Sequence, residues 1–276
     1  MIPHQVLAVS ALSLSLLACS ATEAPSSTHA TTTSSSGSGG TGGAGGASAE
    51  PDPLIVARPY DLYVPPTYSA DKPAPLVLAF HGYGSGDTGP ILESYFHLKA
   101  VADKEGFLYI TPNGTKDKQG QQFWNGTDAC CDFYGSGVDD VAYVRAIIDD
   151  VAKHYALDPK RVYVTGLSGG AFFAHRLACE LSDRIAAVFS VSGATYADAS
   201  RCQPTEAVAI VEMHGDKDDT VLYDGGTMSF GKVVNVPYPS AHDTVAHWAA
   251  YDGCTGALTD TGTTLDLEIP VAGAET

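Results

Sequence analysis

Arg161-Val162-Tyr163-Val164-Thr165-Gly166-Leu167-Ser168-Gly169-Gly170 is the stretch whose reading decides the fold. Val162-Tyr163-Val164 is a short apolar run rich in β-branched and aromatic residues, as in a strand, and the residues from Gly170 to Glu180 read as a helix. Between them stands Gly-x-Ser-x-Gly, a weak pattern alone because glycine and serine meet often in loops. Placed directly after a strand and at the opening of a helix, it becomes a nucleophile elbow. The two glycines let the backbone turn sharply without a Cβ clash, so that the Ser168 hydroxyl stands exposed at the carboxyl end of the strand. Ser168 is therefore the expected nucleophile.

Short β-rich runs alternate with helical patterns on either side of this stretch, which predicts crossover units and a mostly parallel sheet. Arg58–Val64 reads as an edge strand. Leu76-Val77-Leu78-Ala79-Phe80 is almost continuously apolar, as a strand covered on both faces should be, and runs into His81-Gly82. Phe107–Thr111 is a similar strand. Asp139 is placed to cap a helix with Val141, Val144, Ile148 and Val151 on one face, and Pro159 marks its end. Ala186–Ser192 and Ala207–His214 follow as strands and Asp243–Asp252 as a final helix. The expected architecture is an α/β-hydrolase fold over residues 53–276.

The first 18 residues read as an export signal, with an apolar run from Val6 to Ala18 too short for a permanent membrane span. Leu16-Leu17-Ala18-Cys19 resembles a bacterial lipobox, which would make Cys19 a lipid-modified residue and give the protein an outer-membrane anchor. Residues 19–52 are Ser, Thr, Gly and Ala with little to bury, the composition of a flexible tether. The net charge of −17, from 15 Lys+Arg against 32 Asp+Glu, argues against a nucleic-acid partner, because phosphate binding needs clustered cations. There is no phosphate-binding Gly-Lys-Ser/Thr loop and no paired Cys-x2-Cys zinc pattern. No metal and no organic cofactor is expected.

A serine hydroxyl needs a base to take its proton and preset donors for the oxyanion that forms. The N–H of Gly169, next after the nucleophile, is one expected donor. The turn His81-Gly82-Tyr83-Gly84 should give the other, from Tyr83. The acid belongs on a loop after a later strand, and the strand Val208–Met213 runs into His214-Gly215-Asp216-Lys217-Asp218-Asp219. Three carboxylates compete there, and spacing alone does not separate them.

These segments together resemble the polyhydroxybutyrate depolymerase and feruloyl esterase group within carbohydrate esterase family one. The resemblance runs from about Pro53 to the end. Its pieces are His81-Gly82, Phe123-Trp124-Asn125, Cys130-Cys131, Asp139-Asp140-Val141, the elbow itself, Leu177-Ala178-Cys179 and His214-Gly215. It implies that the acid stands third after His-Gly, at Asp218 rather than Asp216 or Asp219. It also implies a base on a loop after a further strand, beyond Thr276. The chain is thus expected to end before its general base, with His242 a poor substitute and His247 inside a helical pattern.

Cysteine counting points the same way, since Cys19 apart there are five: Cys130, Cys131, Cys179, Cys202 and Cys254. Cys179 and Cys202 are expected to pair. Cys254 is expected to have lost its mate with the missing segment, and a Cys130–Cys131 bond would join unusually close neighbours. The implied activity is an exported serine esterase acting on a polyhydroxyalkanoate oligomer or on feruloyl or acetyl esters of plant cell walls. Trp124, with Tyr83 and Tyr134, is the expected aromatic shelf for such a substrate. The alternative is a catalytically inactive surface binding protein on the same fold.

Overall fold

A computed structural model describes residues 50–84 and 88–263. The expected signal peptide, the lipidation site at Cys19 and all but the last three residues of the tether lie outside the described residues. So do residues 264–276.

The core is a six-stranded sheet in the order β1-β3-β2-β6-β7-β8. Its strands are β1 (Leu62–Tyr63), β2 (Ala74–Phe80), β3 (Leu108–Ile110), β6 (Leu157–Leu167), β7 (Ala187–Val191) and β8 (Ala209–Met213). All neighbours are parallel except the antiparallel edge pair of β1 with β3. Alternation along the strands explains the two covered faces. Leu76, Leu78, Phe80, Leu108 and Ile110 point to one side, where α4 (Asp140–His154), α5 (Gly169–Glu180) and Trp248 of α6 (Ala241–Tyr251) complete the main core. Ala79 and Tyr109 point to the other, against α2 (Thr88–Phe96) and α3 (Leu98–Glu105). This is the α/β-hydrolase architecture expected from the sequence, with the carboxyl ends of β6, β7 and β8 side by side.

A second cluster lies over that end of the sheet. Phe123, Cys130, Cys131, Phe133, Phe172, Ala194 and Val221 form it, and Met228, Val233 and Val236 pack on it. The last three belong to an antiparallel hairpin of β9 (Gly226–Phe230) and β10 (Val233–Tyr238), which the sequence reading did not anticipate. A smaller hairpin, β4 (Thr115–Lys116) with β5 (Gln122–Phe123), flanks the turn after β2.

Three local expectations are corrected. Arg58–Val64 is not one strand: a short helix α1 (Pro53–Ala57), capped by Asp52, precedes it, and pairing is confined to Leu62–Tyr63. The Arg58 side chain instead reaches Asp140 at 2.7 Å and lies 3.6 Å over the Tyr143 ring. Pro159 does not end α4, which stops at His154, but falls inside β6. The pairing of β6 with β2 is irregular between Leu157 and Val162, so a residue without an N–H is tolerated there. Cys254 is disulfide-bonded rather than left over, and no described cysteine is free, which removes the cysteine argument for a missing segment. The Cys179–Cys202 bond is present as expected. Among the described residues, no helix is long and apolar enough to cross a membrane.

Candidate active site

β6 delivers the elbow and α5 carries it away. Ser168 has φ +54° and ψ −120°, a conformation that L-residues adopt only where the surroundings enforce it. The enforcement is visible. Ser168 N–H donates to the Val191 carbonyl at 2.9 Å, and the Ser168 carbonyl accepts from Ala171 and Phe172 at 2.8 and 3.1 Å. Although Ser168 stands at the N-cap of α5, its side chain makes no capping bond, so the hydroxyl is not spent on the helix. A Cβ at Gly166 would overlap the Gly170 carbonyl, and one at Gly170 would overlap the Phe80 carbonyl. These glycines therefore let the elbow press against the end of β2.

That contact brings the expected oxyanion donors together. A Cβ built on Gly169 would stand 3.1 Å from the Tyr83 nitrogen, so the Tyr83 turn lies against the first residue of α5. The Tyr83 turn is held from three directions. Gly84 N–H donates to the Gln122 carbonyl at 2.8 Å, and the Tyr83 hydroxyl donates to Asp117 at 2.6 Å. His81 is fully buried, accepts from Gly114 N–H at Nε2 (2.9 Å) and donates from Nδ1 to the Gly82 carbonyl (2.7 Å). Burial pushes its pKa down from 6.5 to about 4, against the smaller upward pull of the Gly82 carbonyl. His81 therefore shapes the turn as a neutral ring.

Asp218 occupies the loop after β8, at the same end of the sheet. Its Oδ1 accepts from Thr220 and Val221 N–H, both at 2.9 Å, while Asp216 and Asp219 stay exposed. The loop is anchored by a buried network that sequence reading missed. His214 donates from Nε2 to the Val221 carbonyl at 2.7 Å and stands 3.7 Å from Asp218 Oδ2; its Nδ1 faces Glu212 Oε1 at 3.4 Å, a distance of charge attraction rather than a good hydrogen bond. Glu212 Oε2 meets His175 Nε2 at 3.2 Å, and Trp248 Nε1 donates to His175 Nδ1 at 3.0 Å. Indole nitrogen only donates, so His175 Nδ1 must be the bare nitrogen and Nε2 the protonated one. Burial pushes the Glu212 carboxyl up, but the hydrogen bond from His175 and the nearby His214 ring outweigh it and leave the pKa below the ordinary value. Burial likewise pulls His214 down, and Glu212 with the Val221 carbonyl more than reverses it. The one available signal was Glu212 itself, a carboxylate at an inward position of a predicted buried strand.

Trp124 does not form an exposed shelf. It is buried, stacked on Phe173 at 5.1 Å with rings 4° apart, and beneath Arg58. The aromatic surface near the oxyanion turn is made differently. Tyr83 packs edge-on to Phe133 (4.9 Å) and Phe230 (5.8 Å), and Tyr134 lies 6.4 Å from Phe230. Phe230, at the end of β9, remains 47% exposed. Hairpin residues were absent from the expected shelf because a short exposed strand pair leaves little apolar periodicity.

No described histidine bonds the Ser168 hydroxyl. His242 is exposed at the start of α6, 4.0 Å from Asp243, and His247 lies within that helix beside Tyr251. His214, which does touch Asp218, has both ring nitrogens directed at other groups. Among the described residues no cluster of His, Cys, Asp and Glu could hold a metal ion.

The chain is 29% identical over 196 residues to feruloyl esterase B of Piromyces equi, which covers 70% of this chain and 35% of that protein. It is 32% identical over 167 residues to the bifunctional acetylxylan esterase/xylanase XynS20E of Neocallimastix patriciarum, covering 60% of this chain and 22% of that protein. The chain thus spans about a third or less of the length of these two relatives. Among solved structures, an acetyl xylan esterase from Aspergillus awamori matches at 23% identity and a TM-score of 0.40, covering 49% of this chain and 46% of that one. Residues 58–258 match the model of the family described as Esterase PHB depolymerase. Since that match takes in the Tyr83 turn, the Ser168 elbow, the Asp218 loop and α6 in one run, the chain belongs to the Esterase PHB depolymerase family.

Proposed function

We propose that the chain is an exported serine hydrolase of carboxylic esters. Ser168 attacks the ester carbonyl, the N–H groups of Tyr83 and Gly169 hold the oxyanion, and the alcohol leaves; water then releases the acid. Asp218 serves as the acid of the triad, orienting and charge-balancing the base. The histidine that takes the Ser168 proton is none of those among the described residues. The observation that carries the reading is the elbow: a serine held at φ +54° with its hydroxyl outside the cap, and with Gly169 packed against the Tyr83 turn.

For the substrate we propose a plant-cell-wall ester, feruloyl or acetyl, over a polyhydroxyalkanoate. The names of the relatives support it, and so does the half-exposed Phe230 beside Tyr83 and Tyr134, a surface suited to an aromatic acyl group. Export is supported by the apolar run Val6–Ala18. Rates on methyl ferulate, an aryl acetate and a hydroxybutyrate trimer test the reading. Methyl ferulate turnover that disappears in Ser168→Ala is the expected result. Turnover of none of the three by folded protein favours the rival, an inactive binding protein, which the lack of a described histidine at Ser168 would explain.

A further inference from the structure

Two sulfur atoms lie against Gly169, the residue whose amide the proposed mechanism relies on. Cys130 and Cys131 are bonded to each other and buried. A Cβ on Gly169 would stand 2.8 Å from Cys131 Sγ and 3.6 Å from Cys130 Sγ, with the Tyr83 nitrogen at 3.1 Å. The disulfide is therefore the wall beside which both oxyanion donors lie. The loop that carries it is tied to its surroundings on each side. Cys130 N–H donates to the Thr127 carbonyl (3.0 Å), Cys131 N–H to the Trp124 carbonyl (3.2 Å), and Lys232 N–H to the Phe133 carbonyl (2.6 Å). Asn125 N–H donates to Asp140 (2.7 Å), and Arg176, on α5 itself, donates to the Asn125 carbonyl (3.0 Å).

Chain entropy gives this bond little to do. A cross-link stabilises mainly by closing a loop in the unfolded chain, and neighbours in sequence close none. Its location supplies the use. Sulfur in a disulfide neither donates nor accepts strongly, so it packs against Gly169 without competing for the N–H groups an oxyanion needs. Two thiols would need more room than one bonded pair, at a place where not even a Cβ on Gly169 would fit.

We propose that the Cys130–Cys131 bond is a positioning element of the oxyanion hole, fixing the Tyr83 and Gly169 amides relative to Ser168. What the amides do rests on the esterase reading; where the bond sets them does not. Opening it with a dithiol breaks the S–S bond, transfers two electrons and two protons to the protein as two thiols, and leaves the reductant as its own disulfide. The amides should then lose their fixed spacing.

The test uses the full chain in three forms: untreated, dithiol-treated with thiol formation at Cys130 and Cys131 verified by alkylation mapping, and Cys130→Ala/Cys131→Ala. Two readouts are compared, the 15N–1H resonances of Tyr83 and Gly169 and the rate at which a fluorophosphonate labels Ser168. Opening the bond is expected to move both amide resonances and slow labelling at least tenfold, with recovery on reoxidation. Resonances that stay in place, or labelling that changes less than twofold, overturn the proposal. If even untreated protein fails to label, the esterase reading falls while the resonances still decide the role of the bond. If the double variant does not fold, the reversible dithiol treatment decides alone.

Discussion

The two ends of α5 carry the same kind of covalent bond and are built on opposite principles. At the amino end, the nucleophile candidate sits at positive φ, glycines stand where any Cβ would collide, and Cys130–Cys131 joins sequence neighbours. At the carboxyl end, Leu181 N–H closes the helix on the Leu177 carbonyl at 2.7 Å, Ser182 exchanges bonds with Thr205, and Cys179–Cys202 links residues 23 apart. The carboxyl end is built as chain entropy favours, since its cross-link limits the unfolded chain. The amino end runs against local preference, with its serine at positive φ and its glycines packed where no Cβ fits. Along α5, backbone strain is found at the end where the chemistry is proposed, and conventional closure at the end that only needs an anchor.

The contrast can be broken most severely at Ser168. In a protein that supplies the general base, Ser168→Ala should lower ester turnover by at least about a thousand-fold while leaving the fold intact, read from initial rates and far-ultraviolet circular dichroism. The other end should behave in reverse. Cys179→Ala/Cys202→Ala should cost about 3 kcal/mol of stability in urea unfolding, from the loop of 23 residues it reopens, with turnover of the folded variant within about twofold of the parent. Similar losses of activity and stability in both variants would erase the distinction.

Gly169→Ala sharpens the amino end. A methyl 2.8 Å from Cys131 Sγ and 3.1 Å from the Tyr83 nitrogen forces the elbow to shift. Loss of about one oxyanion donor predicts a fall in kcat on the order of a hundred-fold with KM little changed. A smaller effect is expected from acid. His81, beside the oxyanion turn, has a folded-state pKa of about 4 against 6.5 ordinarily, so the unfolded chain binds its proton first as pH falls. The stabilisation it gives is complete above pH 6.5 and shrinks on acidification, by about 2 kcal/mol at pH 5. His81→Asn should start less stable at pH 7 and lose less between pH 7 and 5, as urea midpoints at each pH would show.

Much of this layout was legible in the sequence, and for identifiable reasons. β2, β6 and β7 are covered on both faces, so they read as apolar runs, and the elbow between β6 and α5 has its own glycine spacing. Asp218 was not separable from Asp216 and Asp219 by spacing; the family resemblance singled it out, and the fold gives it the two backbone bonds the other carboxylates lack. Trp124 misled because an aromatic residue near a motif reads alike whether it lines a cleft or packs beneath a loop. The β9–β10 hairpin and the Trp248–His175–Glu212–His214 network were hidden because both depend on contacts between segments far apart in sequence. Pro159 read as a helix stop because a break in strand pairing is a property of two strands and not of one.

The central claim, that the elbow presents Ser168 as the reactive hydroxyl, is tested most directly by fluorophosphonate labelling of the folded full chain followed by mass-spectrometric peptide mapping. One phosphonyl group per chain, located on Ser168 and absent in Ser168→Ala, is the predicted result. A folded chain that takes up no label, or that is labelled equally after Ser168→Ala, would contradict it.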